Sequence, residues 1–219
     1  MTRSAALDTL LLAAALLSSC GGSTESPDDA APAAAPHDHS AAASAVAASD
    51  LSVYQLESRW TDQHGRTRGL AELAGRPQAL ALVYTNCGSA CPRIVSDLKR
   101  LEAEFPQLGL VLVSIDPERD TPGRLREFAQ GSGLGERWTL LNGEDRALME
   151  LAAVLGVRYR RVSPTDFVHS NLITVLDAAG NIAYRQEGLG EAERTIAALR
   201  GRPELTSASP AGSTTSPRS

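Results

Sequence analysis

The sequence predicts an α/β protein whose central mixed sheet is flanked by helices, and three observations support this fold class. Within residues 51–202, short apolar runs alternate with stretches whose apolar residues recur every three or four positions. Residues 78–84 and 108–115 are almost continuously apolar, which is typical of strands covered on both faces. A hairpin pattern and a last helix follow, so the order of elements predicts a thioredoxin-like fold.

The first half of this region predicts two strands, each followed by a helix. The strand at residues 78–84 leads into a helix at residues 92–105, whose apolar residues recur at helical spacing. The strand at residues 108–115 leads into a helix at residues 121–130, because a proline near its start is favoured in the first turn. We expect the carboxylate of Asp120 to cap this second helix.

The second half predicts a short strand, a helix that ends at Gly156, a hairpin and a closing helix. These elements occupy residues 138–141, 144–155, 171–176 with 182–186, and 191–199. The segment at residues 51–74 precedes the core, and we expect it to form an N-terminal hairpin extension.

The N-terminus predicts a lipoprotein signal peptide over residues 1–19. Arg3 supplies a positive charge, and the apolar run at residues 10–17 is too short to cross a bilayer stably. Small residues then precede Cys20, which resembles the lipobox of bacterial lipoproteins, where the cysteine is diacylated. We therefore expect Cys20 to anchor the chain to a membrane of the bacterial cell envelope, facing the periplasm or extracytoplasmic side. The alternative is an ordinary secretory signal with an incidental cysteine.

The net charge of −5 is concentrated in one short segment. Residues 21–50 contain five acidic residues and no lysine or arginine, whereas acids and bases balance from residue 51 onward. A neutral body without a basic stripe argues against nucleic-acid binding, which needs several phosphate-neutralising side chains on one face.

Two segments lack the apolar side chains that a packed core requires. Residues 20–50, rich in Ala, Pro and Asp, predict a flexible tether, and residues 203–219 predict a disordered tail. Within the tether, His37 and His39 form either a weak metal-recruiting site or a pair of solvated side chains.

The sharpest local feature is a pair of cysteines, Cys87 and Cys91, at the junction of the first strand and its helix. Unpaired N–H groups at a helix N-terminus favour the thiolate, and a spacing of four residues places both sulfurs on one side. The pair is suited to a redox-active disulfide or to joint ligation of one soft metal ion. A purely structural disulfide is the alternative, although so short a loop contributes little entropic stabilisation.

His169 lies immediately before the strand at residue 172, in a loop that faces the cysteines in a thioredoxin-like fold. A histidine there is otherwise a hydrogen-bonded loop residue, but together with Cys87 and Cys91 it completes a Cys₂His set. Thiolates and one imidazole suit copper, as Cu(I) or Cu(II), and zinc accepts the same donors with a fourth ligand.

The chain resembles the Sco (Sco/SenC) family in an ordered set of motifs. They are CGSACP at residues 87–92, SIDPERDTP at residues 114–122, DFVHS at residues 166–170, and the earlier WTDQHG at residues 60–65 with LAELAG at residues 70–75. Members of this family are membrane-tethered, thioredoxin-fold copper proteins that help to assemble the dinuclear copper site of cytochrome c oxidase.

The resemblance implies that Cys87, Cys91 and His169 bind one copper ion and that the two cysteines form a redox-active pair. It also implies a partner that carries the copper site of a respiratory oxidase or similar copper enzyme, and an upstream copper donor or thiol reductant. Asp116, Arg119 and Asp120 fall in the family signature, and we expect them to be structural.

Three functions follow from these residues. The first is a metallochaperone that delivers copper to, or prepares, the oxidase copper site. The second is a thiol–disulfide oxidoreductase that reduces partner cysteines before metallation, and the third is a redox-inert domain with one structural disulfide. Gly88 stands where many family members have proline, which loosens the loop and bears on its redox potential and copper affinity.

Overall fold

A computed structural model describes residues 52–206 of the chain. The predicted signal peptide, Cys20, the tether with His37 and His39, and the tail beyond residue 206 lie outside the described residues. Among residues 52–206, no helix has the length and apolar character needed to cross a membrane.

The described part of the chain contains nine strands, five α-helices and two short 3-10 helices, at Val53–Gln55 and Leu70–Leu73. The strands are β1 (Arg59–Asp62), β2 (Thr67–Gly69), β3 (Gln78–Val83), β4 (Gly109–Ser114), β5 (Trp138–Gly143), β6 (Tyr159–Arg161), β7 (Phe167–His169), β8 (Leu172–Leu176) and β9 (Ile182–Glu187). The helices are α1 (Ala90–Glu104), α2 (Pro122–Gly131), α3 (Asp145–Leu155), α4 (Ala192–Arg200) and α5 (Pro203–Thr206).

Seven of the strands form one mixed sheet in the order β2-β1-β5-β4-β3-β8-β9. The central strands β3, β4 and β5 are parallel, and the remaining pairs are antiparallel. Every residue of β3 and β4 is buried, as their continuous apolar runs predict. The mixed sheet flanked by helices confirms the predicted fold class, and the β1–β2 pair is the predicted N-terminal hairpin.

The helices begin and end close to the predicted positions. Proline lies at the start of α2, and Gly156 ends α3 in the left-handed conformation with φ of 74°. The helix α1 begins at Ala90, two residues before the predicted start, so Cys91 lies in its first turn.

Two features differ from the predictions. Residues 159–161 and 167–169 form a separate two-stranded sheet, β6–β7, so His169 ends a strand and does not lie in a loop. The apolar pattern of the sequence does not predict this hairpin, because β6 is short and contains two arginines. The folded part also continues past residue 202 into α5, because Leu205 is buried and apolar.

Candidate metal centre

The cysteine loop is located where β3 ends and α1 begins. Cys87 follows the buried strand by four residues and is 9% exposed, whereas Cys91 lies in the first turn of α1 and is fully buried. The Cys91 N–H donates to the Cys87 Sγ over 3.4 Å, so the loop folds back onto the helix N-terminus. Both thiols are free in the structure.

The β6–β7 hairpin brings His169 to the two cysteines. The His169 Nε2 lies 3.8 Å from the Cys91 Sγ, and the three side chains can place their ligand atoms within 4.8 Å of one another. The His169 Nδ1 lies 3.1 Å from the carbonyl oxygen of Ser170. Because a carbonyl only accepts, Nδ1 carries the proton and the lone pair of Nε2 is free to face the sulfurs.

The environment gives the three groups different proton affinities. Burial alone raises the pKa of Cys87, but hydrogen bonds from the Cys91 thiol and from nearby backbone N–H groups outweigh it, so the pKa is lowered. Burial and the neighbouring Cys87 sulfur raise the pKa of Cys91. Burial also lowers the pKa of His169, against the effect of its bond to Ser170, which favours a neutral imidazole able to bind a metal.

Two aromatic rings, Tyr84 and Phe167, lie on one side of the site. The Tyr84 ring lies 5.2 Å from the Phe167 ring and 6.3 Å from the His169 ring, measured between centroids. The Phe167 N–H also donates to the Tyr84 hydroxyl over 3.5 Å. These contacts join the end of β3 to β7 and fix the imidazole beside the thiols.

Arginine contacts fasten the hairpin to the loop after β4. The Arg161 guanidinium donates to Glu118 over 3.1 Å, lies 3.5 Å from Asp116, and stacks 4.8 Å above the Phe167 ring. Arg119 pairs with Asp116 and donates to the carbonyl of Pro164 at the hairpin tip. The hairpin that carries His169 is therefore held at both its strand and its turn.

Asp120 ties the strand ends together, and its predicted role as a helix cap is wrong. Its carboxylate accepts from the Thr85 N–H at 3.0 Å and from the hydroxyls of Thr85 and Ser114. The cap of α2 is instead Thr121, whose hydroxyl accepts from the Arg124 N–H. Asp120 therefore holds the segment that leads from β3 to Cys87, a contact between distant residues that the sequence does not display.

The SCO1/SenC family model matches residues 49–202 of this chain. The chain belongs to the SCO1/SenC family. It is 29% identical over 103 residues to the SCO1 protein homolog of Bacillus subtilis, a match that covers 44% of this chain. The chain spans little more than half the length of the first curated relatives it matches, 59% and 53%.

Solved structures of SCO1/SenC proteins share the fold. A SCO1/SenC family lipoprotein from Bacillus anthracis is 21% identical, with a TM-score of 0.60 over 68% of this chain and 95% of that one. The copper-bound ScoI of Bradyrhizobium japonicum is 23% identical, with a TM-score of 0.54 over 66% of this chain and 96% of that one. The fold of the present SCO1/SenC chain is therefore thioredoxin-like, as predicted.

The donor set of this SCO1/SenC chain fits a soft or borderline metal ion. Two sulfurs and one imidazole nitrogen converge from α1, the loop before it and β7. Thiolate and imidazole ligands suit copper, whereas Mg²⁺ and Ca²⁺ prefer oxygen ligands such as carboxylates. The other described histidine, His64, is exposed in the β1–β2 turn.

Proposed function

We propose that this protein is a membrane-tethered metallochaperone that delivers one copper ion to, or prepares, the dinuclear copper site of cytochrome c oxidase or a related copper enzyme. The observation that carries the proposal is the convergence of Cys87, Cys91 and His169 within 4.8 Å in a chain of the SCO1/SenC family. The copper-bound ScoI relative supports it, as does BsSco, which is described as a member of the Sco family of cytochrome c oxidase assembly proteins.

Copper is the cargo of the proposed site. Both cysteines bind it as thiolates, and the neutral His169 binds it through Nε2 while Nδ1 remains bonded to Ser170. Three protein ligands leave room for a donor atom of the receiving site, so copper passes by stepwise ligand exchange. The lowered pKa of Cys87 favours its thiolate, the form that both binds metal and exchanges it.

The proposal places the protein at a bacterial envelope membrane, lipid-anchored through Cys20. The Bacillus anthracis relative is described as a lipoprotein, which supports this anchoring. A tether of residues 20–50 gives the body reach toward a membrane-bound oxidase. Radiolabelled acyl incorporation that is lost in Cys20→Ser tests the anchor.

The copper function is tested by titrating the reduced full chain with copper under anaerobic conditions. We expect one ion per chain, transfer to an apo copper-site domain of an oxidase subunit, and loss of both in Cys87→Ser with Cys91→Ser. Uptake of copper that is unchanged by the double substitution would contradict the proposal.

The free thiol pair also favours a second function, reduction of a partner disulfide. The Cys87 thiolate attacks one partner sulfur, and the Cys91 thiol then attacks Cys87 and releases the partner as two thiols. The chain is left with a Cys87–Cys91 disulfide, which an upstream thiol reductant reduces again. Turnover with a disulfide-bonded copper-site domain that survives His169→Ala would favour this function over copper delivery.

A further inference from the structure

Exposed apolar side chains gather on the hairpin that carries His169. Across residues 52–206, three large apolar side chains are exposed: Met149 at 58%, Val162 at 47% and Val168 at 60%. Two of the three therefore lie within one short hairpin, next to the proposed metal ligand. Scattered exposed valines are ordinary, but a pair beside a functional site marks a candidate contact surface.

The strand register explains why these valines point away from the body. Tyr159 pairs with His169 and Arg161 with Phe167, so these four side chains share the inner face, the face that carries the His169 imidazole. Side chains alternate between the faces of a strand, so the residues between them form the outer face. This outer face consists of Arg158, Arg160, Val162, Asp166 and Val168, all of them exposed.

The outer face also carries unused positive charge. The guanidinium groups of Arg158 and Arg160 have no ion-pair or hydrogen-bond partner within the described residues. Arg161, on the inner face, is by contrast paired with Glu118 and Asp116. The Asp166 carboxylate at the tip accepts from the hydroxyls of Ser163 and Thr165.

The charged and apolar groups extend to His169, one of the three proposed metal ligands. A shallow cavity of about 330 Å³ is lined by Arg158, Tyr159, Arg160, Val168, His169 and Ser170. A surface that covers the outer face therefore also approaches the imidazole that holds the proposed cargo.

We propose that the outer face of the β6–β7 hairpin docks the protein that receives copper, through an apolar patch against Val162 and Val168 and carboxylates that pair with Arg158 and Arg160. This inference rests on the proposed function and names the chemistry of its partner. Protein contact surfaces typically combine arginine with apolar side chains. Complementary charge between the two partners chiefly accelerates their association. The acidic partner surface must lie beside its copper site, because the cavity opens at His169.

The test compares two outer-face substitutions with two controls in the full chain. Arg160→Glu reverses the unpaired charge on the outer face. The control Arg76→Glu reverses the charge of an exposed arginine just before β3, at the end of that strand opposite to the cysteine loop. Val168→Ser removes an exposed apolar group, and Met149→Ser does the same on α3. Each chain is loaded with copper and mixed with the apo copper-site domain of an oxidase subunit at several salt concentrations.

We expect Arg160→Glu to lower the second-order transfer rate about tenfold at low salt and to remove most of its salt dependence. Val168→Ser lowers the rate several-fold, and both controls and the copper affinity of all variants stay within about threefold of the parent. Transfer rates that match those of the controls would overturn the inference, as would a rate that falls only in proportion to copper affinity.

Two other occupants of the hairpin face are distinguished in the same experiment. If the face joins two copies of this chain, sedimentation shows a dimer that Val168→Ser dissociates, which overturns the inference. If the acidic segment of the chain competes with the partner for this face, Asp28→Asn with Asp29→Asn and Asp38→Asn accelerates transfer and Arg160→Glu abolishes that acceleration, which supports docking at the face. Calorimetry of the copper-free chains with the apo copper-site domain measures docking alone. A failure to dock is therefore distinguished from a failure to bind copper.

Discussion

Cys87 is the more acidic of the two cysteine thiols, because it accepts hydrogen bonds from Cys91 and from backbone N–H groups at the start of α1. Burial opposes ionisation of both sulfurs, and at Cys91 the neighbouring Cys87 adds to that effect. The position of a cysteine relative to a helix N-terminus thus decides which thiol reacts first.

Alkylation of the reduced chain with iodoacetamide tests this difference. We expect Cys87 to react below the usual pH range of a free thiol and at least about tenfold faster than Cys91, since its pKa is lowered and that of Cys91 is raised. Peptide mapping by mass spectrometry at pH 6 to 9 gives both rates. Faster modification of Cys91 at any of these pH values would show that the assignment is reversed.

At the residue scale, the sequence predicted which side chains form the candidate site, and their chemistry stays a prediction. Cys87, Cys91 and His169 stand out by type and spacing, and the structure brings all three together. Tyr84 carries no comparable signal, because its contact with the His169 ring depends on the approach of two distant strands.

The β6–β7 hairpin positions His169, and Arg161 is the side chain that joins it to the loop after β4. In Arg161→Ala we expect amide exchange in residues 159–169 to accelerate about tenfold, because an exposed ion pair and a cation–π contact are each worth up to about 1 kcal/mol. Copper affinity falls several-fold as His169 becomes less fixed.

Arg160→Ala is the matched control for the hairpin, since that guanidinium has no partner among the described residues. It should leave both the amide exchange and the copper affinity unchanged. Equal effects of the two substitutions would mean that the Arg161 contacts do not fasten the hairpin.

The β1–β2 hairpin depends on Asp62, whose buried carboxylate accepts from the N–H groups of His64 and Arg66 and from the guanidinium groups of Arg66 and Arg68. Burial alone raises the pKa of Asp62, but these hydrogen bonds and the Arg66 charge outweigh it and lower the pKa. The carboxylate therefore stabilises the fold above its ordinary pKa, and this contribution is lost as the pH falls through the folded value.

For Asp62→Asn we expect a loss of about 1–3 kcal/mol in the free energy of unfolding at pH 7. The difference from the parent shrinks below about pH 4, where the parent carboxylate takes up a proton in the unfolded chain and then in the folded one. Urea unfolding at pH 3 to 7 measures this difference in the free energy of unfolding, with Glu150→Gln, at an exposed position, as the control. A difference that stays constant over this pH range would contradict the role of the charge.

At the element scale, length and apolar content decide what the sequence reveals. The buried strands β3 and β4 and the amphipathic helix α1 were predicted because they are long and strongly patterned. The strands β6 and β7 have three residues each, and pairing across the hairpin and contacts with the body hold them in place.

Helix α5 extends the described structure to residue 206, four residues beyond the domain boundary that the sequence predicts. Leu205 is 2% exposed, and its carbonyl accepts from the Gln107 side chain over 3.1 Å. A polar segment that contains one leucine resembles a tail in composition, and only its packing distinguishes it from one.

We expect Leu205→Ala to lower the free energy of unfolding by about 2–4 kcal/mol, because it removes buried side-chain volume. Met149→Ala, at an exposed position on α3, should change it by less than about 0.5 kcal/mol. Equal denaturant midpoints for the two variants would place Leu205 outside the folded core.

The whole molecule brings a thiol pair from one end of the sheet and an imidazole from a separate hairpin to one centre, and the central claim is that this centre binds copper. Anaerobic Cu(I) competition titration of the full chain, of His169→Ala and of the exposed control His64→Ala tests it most directly. The account predicts one ion per chain, an affinity at least about tenfold weaker in His169→Ala, and no change in His64→Ala. Equal affinity in all three chains would contradict it.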